Sequence, residues 1–127
     1  MPEQNKKRVL LIEDDIFLRE LCSIKLKESK YIVTEASDGK DGLDKLLHHS
    51  YDIVLLDIML PLKTGFEVLE EYNKLKSSDQ NPKIIIMTNL NEQNQITKGL
   101  KLGAIDYIIK AHYSPTEIVA KINQLTT

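Results

Sequence analysis

The chain has 127 residues, a net charge of −2 and one cysteine. This length fits one domain with a single core, and the absence of any basic stripe argues against direct contact with nucleic-acid phosphates. No apolar run approaches the roughly 20 residues that span a bilayer, so we expect no membrane segment and a cytoplasmic location. Cys22 lies among apolar residues at helical spacing, which predicts a buried small side chain rather than a reactive thiol.

The first predicted strand ends in acidic residues. Arg8–Ile12 is a short apolar run, and Glu13, Asp14 and Asp15 follow it directly. Apolar residues at mostly helical spacing then predict a first helix over residues 15–28, with acids near the positive end of its dipole.

A second strand is predicted over residues 31–34, and the turn at 37–39 offers an N-cap to a second helix. This helix carries three leucines and closes with His48 and His49. Histidines in a last turn interact favourably with the negative end of the dipole. With no cysteine or further histidine nearby, we interpret them as a solvated helix end rather than a metal site.

Ile53–Leu56 is an unbroken apolar run, typical of a central parallel strand that is buried on both faces. Asp57 ends the run, and Pro61 cannot donate to a sheet ladder, so the strand stops close to the acid. Asp57 is therefore predicted at the carboxyl edge of a central strand. Taken alone, an acid at this position is also typical of a cap or a turn.

A capping box at residues 64–67 predicts the start of a third helix, which carries apolar residues as far as Leu75. A polar loop over residues 77–81 and a strand over residues 83–87 follow. That strand ends at Thr88 and Asn89, so another polar group lies at a strand end.

The fourth predicted helix covers residues 91–102, with Gly103 as its C-cap. It has few apolar residues and contains Gly99, so we expect it to be the most weakly held helix. A fifth strand, Ala104–Ile109, is followed by Lys110. Residues 114–117 then combine an N-cap, a first-turn proline and a capping-box acid for a last helix that runs to the chain end.

Alternating strands and helices predict an α/β, doubly wound fold. We expect a five-stranded parallel sheet with five helices on its two faces and right-handed crossovers, in the flavodoxin-like order 2-1-3-4-5. In this order, strands 1, 3, 4 and 5 end at one edge of the sheet with a shared set of polar side chains: Glu13, Asp14, Asp57, Thr88 and Lys110.

Together, these residue types suit the binding of a metal ion and a phosphoryl group. Three clustered carboxylates repel one another unless a cation neutralises them, and oxygen ligands without histidine or cysteine indicate a hard ion, most simply Mg²⁺. A threonine hydroxyl and a lysine ammonium would hold phosphoryl oxygens, and Asp57 is a candidate nucleophile that forms an acyl phosphate. Each residue alone has an ordinary explanation as a cap, a surface charge or a helix start. Their convergence at one edge favours the functional interpretation.

At this point the sequence resembles the receiver domains of two-component response regulators, over nearly the whole chain. The resemblance rests on four segments: the first strand with its acidic doublet, Val54-Leu55-Leu56-Asp57-Ile58-Met59-Leu60-Pro61, Met87-Thr88, and Asp106-Tyr107-Ile108-Ile109-Lys110. It implies that residues 1–127 form a single receiver domain.

The resemblance also implies a role for each site residue. Asp57 would accept a phosphoryl group from the phosphohistidine of a sensor histidine kinase or a phosphotransfer protein. Mg²⁺ would be held by Asp14, Asp57 and the backbone carbonyl of Met59, with Glu13 acting through water.

The switch residues follow from the same resemblance. Thr88 would move to hydrogen-bond the phosphoryl group, Lys110 would pair with it, and Tyr107 would turn towards the space that Thr88 vacates. The fourth helix, fifth strand and fifth helix would carry the signal to an unknown downstream protein. A weakly held fourth helix fits this role, because switching elements come from the less stable parts of a structure.

Two positions near the site depart from the family pattern. Ala111 stands where the family usually has a proline, commonly with a cis bond, so we predict a trans Lys110–Ala111 bond and a displaced or more mobile loop over residues 111–114. Asn89 stands where the family has a small residue. Its bulk is a candidate cause of slowed dephosphorylation, testable by comparing phosphoryl half-lives of the wild type and Asn89→Ala.

Ile105 occupies a position where DNA-binding regulators often carry an acid used in dimer pairing, so we expect a monomer or a weak phosphorylation-dependent dimer. The chain resembles a stand-alone regulator that acts through protein contacts. A receiver fragment of a longer protein would look much the same.

Three other interpretations are open to the same residues. A Mg²⁺-dependent phosphatase of the haloacid dehalogenase type would need a second acid two residues after its nucleophile, where this chain has Met59. A nucleotide or flavin module would need a phosphate-binding loop after the first strand, and no such motif is present. A pseudo-receiver that binds a partner without phosphorylation is disfavoured by the intact acids, threonine and lysine.

Overall fold

The computed structural model describes residues 6–126. Its strands are β1 (Arg8–Ile12), β2 (Ile32–Ala36), β3 (Ile53–Leu56), β4 (Lys83–Thr88) and β5 (Ala104–Ile109). Its helices are α1 (Ile16–Glu28), α2 (Gly39–His48), α3 (Gly65–Leu75), α4 (Gln93–Lys101) and α5 (Pro115–Thr126), with a short 3-10 turn at Lys110–His112.

The strands form one parallel sheet in the order β2-β1-β3-β4-β5, as predicted. The four residues of β3 are all buried, and they divide between two apolar clusters because successive side chains of a strand point to opposite faces. Ile53 and Leu55 pack with residues of α1 and α5, and Val54 and Leu56 pack with residues of α2 and α3. The sheet is therefore covered on both sides, which explains the unbroken apolar run.

Cys22 lies in the cluster between the sheet and α1 and is fully buried. Burial raises the pKa of its thiol to about 11, so the side chain stays protonated at neutral pH. The expected role of a small buried hydrophobic side chain is confirmed.

The predicted helix starts are confirmed at three places. Thr64 and Glu67 form a complete capping box at α3, and Ser114 and Glu117 form the same reciprocal pair at α5. Asp38 caps α2 by accepting from the amide of Asp41.

Two element boundaries differ from the prediction. Strand β2 begins at residue 32, where its pairing with Arg8 starts, and it ends later than expected because its last residues continue the ladder with Leu11 and Ile12 at the end of β1. Helix α4 begins at Gln93 rather than at residue 91, and Glu92 precedes it without a side-chain cap. Residue 90, which would cap a helix that starts at residue 91, is leucine, a poor N-cap residue.

Helix α4 rests on the sheet through a glycine. Gly99 is the one buried residue of this helix, and a Cβ built on it would lie 2.5 Å from Ile86 Cδ1 and 3.3 Å from the Tyr107 ring. The small buried surface agrees with the expectation that α4 is weakly held.

The end of α2 agrees with the interpretation of its histidines as a solvated helix end. His48 is exposed, and its Nδ1 lies 2.7 Å from the Asp44 carbonyl oxygen within the same helix.

Across the described residues, every helix is too short or too polar to cross a membrane.

Candidate functional site

The register of the sheet brings the predicted strand ends to one edge. Ile12 pairs with Leu56, and Leu56 pairs with Ile86, so the residues that follow β1 and β3 lie side by side. At the other side of β4, Thr88 pairs with Ile109. The acids after β1 and β3, the hydroxyl at the end of β4 and the lysine after β5 therefore share one crevice, as ligand sites in open parallel sheets do.

Lys110 joins the two buried acids of this crevice. Its Nζ donates to Glu13 Oε1 and to Asp57 Oδ2, both at 2.6 Å. Glu13 and Asp57 are almost fully buried, and the lysine side chain is 14% exposed. Because β4 lies between β3 and β5, the lysine reaches across one strand to make these contacts.

Backbone groups hold the two carboxylates in place. The amide of Met59 donates to Asp57 Oδ1 at 3.1 Å, and the amide of Asp15 donates to Glu13 Oε2 at 3.0 Å. The amide of Asp57 itself bonds the carbonyl of Ile12 at 3.1 Å. Each acid thus has one oxygen fixed by an amide and one facing the lysine.

The carboxylate oxygens of Glu13, Asp14 and Asp57 lie within 4.8 Å of one another, and Asp14 is exposed. Burial acts to raise the pKa of Glu13, more strongly than its bonds to Lys110 and Asp15 lower it. A cluster made only of oxygen donors, partly open to water, fits a hard divalent ion such as Mg²⁺. The backbone of Met59 lies beside the cluster, because its amide donates to Asp57.

The charge of Lys110 is maintained by its partners. Burial alone would lower the pKa of its ammonium, but the hydrogen bonds and negative charges of Asp57 and Glu13 outweigh that effect and raise the pKa. The site therefore holds one permanent cation among three carboxylates, which leaves room for a further positive charge.

Thr88 is fully buried at the end of β4, and its hydroxyl accepts weakly from the amide of Leu90 at 3.5 Å. Tyr107 is half-buried, and its hydroxyl donates to the carbonyl of Leu90 at 2.7 Å. Burial and the negative charge of Asp57 raise the pKa of Tyr107. Both predicted switch residues thus contact the same residue of the loop before α4.

The structure also describes the two departures from the family pattern. The Lys110–Ala111 peptide bond is trans, as expected, since no cis bond occurs in residues 6–126. The loop forms a 3-10 turn, and the amide of Ala111 donates to Asn89 Oδ1 at 2.9 Å. The sequence did not predict this bond, because no local pattern relates residues that lie on different loops.

A second contact was also missed. Arg19 donates to the backbone carbonyl of Glu13 at 2.9 Å and to Glu35 at 3.1 Å. The only signal for it in the sequence is a pair of opposite charges on α1 and β2, which by itself fixes no distance.

Gly65 at the start of α3 packs directly on the strand end that carries Asp57. A Cβ at this position would overlap the backbone carbonyl oxygen of Asp57 and lie 2.8 Å from the Cα of Ile58. We expect Gly65→Ala to lower the free energy of unfolding by about 1–3 kcal/mol, because backbone atoms cannot move aside as a side chain can. Urea denaturation measures this loss of stability when the wild type and the variant have the same m value.

Gly42→Ala is the matched control, since the atoms nearest to a Cβ there belong to the side chain of Ile12, with its Cδ1 at 2.7 Å. Alanine gains about 1 kcal/mol of helix propensity at an interior position, so this variant should lose less stability. Equal losses for the two variants would show that Gly65 is not constrained by the strand end.

Comparison with known proteins gives a consistent result. Residues 9–123 match the family model described as the response regulator receiver domain. The chain is 31% identical over 125 residues to the transcriptional regulatory protein ResD of Bacillus subtilis, covering 98% of this chain and 50% of ResD. It is 36% identical over 118 residues to the response regulator ArlR of Staphylococcus aureus, covering 93% of this chain and 52% of ArlR. The chain thus spans about half the length of these relatives.

Solved structures show the same likeness. A CheY-like response regulator receiver domain protein from Methanospirillum hungatei superposes with a TM-score of 0.85 at 29% identity, covering 96% of this chain and 94% of that one. The receiver domain of the Francisella response regulator 1452 gives a TM-score of 0.83 at 29% identity, covering 95% and 97% of the two chains.

Proposed function

The chain belongs to the response regulator receiver domain family, and on that premise we propose that it is a switch activated by phosphorylation of Asp57. The phosphodonor would be the phosphohistidine of a sensor histidine kinase or of a phosphotransfer protein. The chain would catalyse transfer only to itself and the later hydrolysis of its own acyl phosphate, so it is not an enzyme for external substrates.

One observation carries this proposal: Asp57 lies in a crevice, with a lysine ammonium on one oxygen and a backbone amide on the other. A buried acid that served only as a cap or a turn former would not require a lysine that reaches over a neighbouring strand. An ammonium placed there attracts phosphoryl oxygens as well as the carboxylate.

The proposed reaction is a displacement at phosphorus. An Asp57 carboxylate oxygen forms the new P–O bond while the P–N bond to the donor histidine breaks, and the imidazole leaves with the electron pair. Lys110 pairs with the charge that remains on the phosphoryl oxygens, and the Thr88 hydroxyl donates to one of them. Catalysis of this kind depends on positioning and charge rather than on covalent work by the protein.

The carboxylates of Asp14 and Asp57 and the backbone carbonyl of Met59 would hold Mg²⁺, with Glu13 acting through water. When bound, the ion would neutralise the clustered negative charge and stabilise the charge of the phosphoryl group. The oxygen-only cluster supports this assignment.

The surroundings of the crevice fit a protein as phosphodonor. Phe17, near the start of α1, is 75% exposed, and Met59, in the loop after β3, is 58% exposed. Large exposed apolar side chains beside a reactive acid are typical of a surface that a partner covers.

Signal output through the face of α4, β5 and α5 is part of the proposal. Tyr107 would couple Thr88 to this face, and its bond to Leu90 supports that path. The chain would act through protein contacts, as a monomer or a weak phosphorylation-dependent dimer, without direct contact to nucleic acid or membrane. We also propose that residues 1–127 form one receiver domain in the cytoplasm.

The test is incubation with acetyl phosphate, followed by intact mass measurement. We expect a gain of one phosphoryl group in the presence of Mg²⁺ and none when EDTA removes the ion, because the clustered carboxylates repel an anionic donor. The melting temperature with and without Mg²⁺ separates metal binding from chemistry, since a bound ion stabilises the folded state. Mg²⁺ binding without any mass gain at high donor concentration would contradict the proposal.

A further inference from the structure

Asn89 and Ala111 form a contact between two loops that border the crevice. The ladder between β4 and β5 ends at the pair Thr88 and Ile109. Strand pairing stops after this pair, but Asn89 Oδ1 accepts from the backbone N–H of Ala111 at 2.9 Å. The side-chain amide therefore extends the connection between the two strands beyond the end of the sheet.

The identity of residue 111 makes this bond possible. A proline has no N–H and a fixed φ, so a loop with proline at this position would need no acceptor there and would be stiff by itself. Ala111 has no such restriction on φ and has an N–H that can donate a hydrogen bond. Asn89 supplies the acceptor, so the two departures from the family pattern compensate for each other.

Ala111 lies in the same short turn as Lys110, whose side chain enters the crevice. Lys110 opens the 3-10 turn, which is closed by a bond from the amide of Tyr113 to the carbonyl of Lys110 at 3.2 Å. Ala111 and His112 are exposed and bury no side chain in the core. The bond to Asn89 therefore ties the exposed part of this turn to the end of β4.

We propose that Asn89 is a positioning residue that fixes the loop carrying Lys110. Asn89 thereby orients the Lys110 ammonium towards Asp57 and towards a phosphoryl group on Asp57, so this inference rests on the proposed function. Asn89 directly follows Thr88. Movement of the Thr88 hydroxyl is therefore passed to the loop of Lys110, which couples the two groups that contact the phosphoryl oxygens.

The first test is structural and needs no phosphorylation. The rate of hydrogen exchange at the Ala111 amide, measured by NMR, should be about 2- to 10-fold higher in Asn89→Ala than in the wild type. This is the range expected for the loss of one hydrogen bond. Asn89→Asp keeps an acceptor oxygen and should retain the slow exchange. Equal exchange rates in the wild type and Asn89→Ala would overturn the proposal.

The second test asks whether Asn89 acts through Lys110. With saturating Mg²⁺ and acetyl phosphate, Asn89→Ala should slow phosphorylation by about 2- to 10-fold in the wild-type background. In a Lys110→Met background the same substitution should have no further effect, because the group that it positions is absent. Asn73→Ala is the matched control, since it removes another exposed bond from an asparagine side chain to a backbone group, to the Leu102 carbonyl, and should leave the rate unchanged.

The outcomes separate the possible failures. An unphosphorylated wild type would contradict the proposed function and leave the exchange result to decide the loop contact. If Asn89→Ala shortens the phosphoryl half-life equally in both backgrounds, Asn89 acts as a shield against water and the positioning role is wrong.

Discussion

Replacing Asp57 by asparagine is expected to abolish phosphorylation by acetyl phosphate and Mg²⁺, reducing the phosphorylated fraction to that of a sample without donor. Asparagine has nearly the same shape, so Met59 keeps an acceptor for its amide, but a neutral amide is not a nucleophile for phosphorus. Intact mass measurement after equal incubation times gives the result directly.

The same variant should be folded and at least as stable as the wild type. Glu13 and Asp57 are buried acids that share one lysine, so removing one of two like charges relieves repulsion without leaving the ammonium unpaired. Denaturation in the absence of Mg²⁺ should show this. Loss of phosphorylation can then be assigned to the missing acceptor rather than to unfolding.

Asp52→Asn is the matched control, because Asp52 precedes the other end of the same strand and accepts from the amide of Arg8 at 2.7 Å. It should be phosphorylated to the same extent as the wild type. A phosphoryl group that persists in Asp57→Asn would place the acceptor at another residue.

Replacing Lys110 by methionine should have the opposite effect on stability. The substitution keeps much of the apolar chain but removes the cation from two carboxylates that are almost fully buried. Breaking a buried pair by removing one partner costs about 3–5 kcal/mol, and we expect about 3 kcal/mol here because Glu13 can take up a proton. Urea denaturation of the metal-free protein measures the loss.

Mg²⁺ should restore part of this stability, because a bound ion supplies positive charge to the same acids. At 100 times its dissociation constant, a ligand that binds only the folded state adds about 2.7 kcal/mol. Phosphorylation of the variant should remain slow even then, since no ammonium is available to pair with the phosphoryl oxygens.

Lys121→Met is the matched control for charge removal. Lys121 lies 3.8 Å from Asp106 in a pair that is about one third exposed, and exposed pairs contribute about 1 kcal/mol or less. If Lys110→Met costs no more than Lys121→Met, the ammonium does not stabilise the buried acids.

Much of the architecture followed from short-range patterns. The apolar run before Asp57 predicted a strand buried on both faces, and both capping boxes were recognisable because their residues lie three positions apart. The strand order followed from the alternation of elements, and it brought the acids and Lys110 to one edge before any distance was known.

The contacts that the sequence did not predict join residues of different strands, helices or loops. Nothing at position 89 indicates that its amide would meet the N–H of Ala111, and nothing at position 65 indicates a close approach to the Asp57 carbonyl. The direction of a side chain in a loop depends on tertiary geometry rather than on local periodicity. Element ends such as that of β2 were misplaced for the same reason, because pairing with β1 extends the strand.

Because Lys110 reaches across β4, its side chain limits local unfolding at the carboxyl end of β5. Strand β5 lies at the sheet edge, and an edge strand with one neighbour would ordinarily fray first. Here fraying at its carboxyl end would pull the ammonium away from both Glu13 and Asp57 and leave two buried anions behind. That end of β5 therefore belongs to the same cooperative unit as the centre of the sheet, and it should open only together with it.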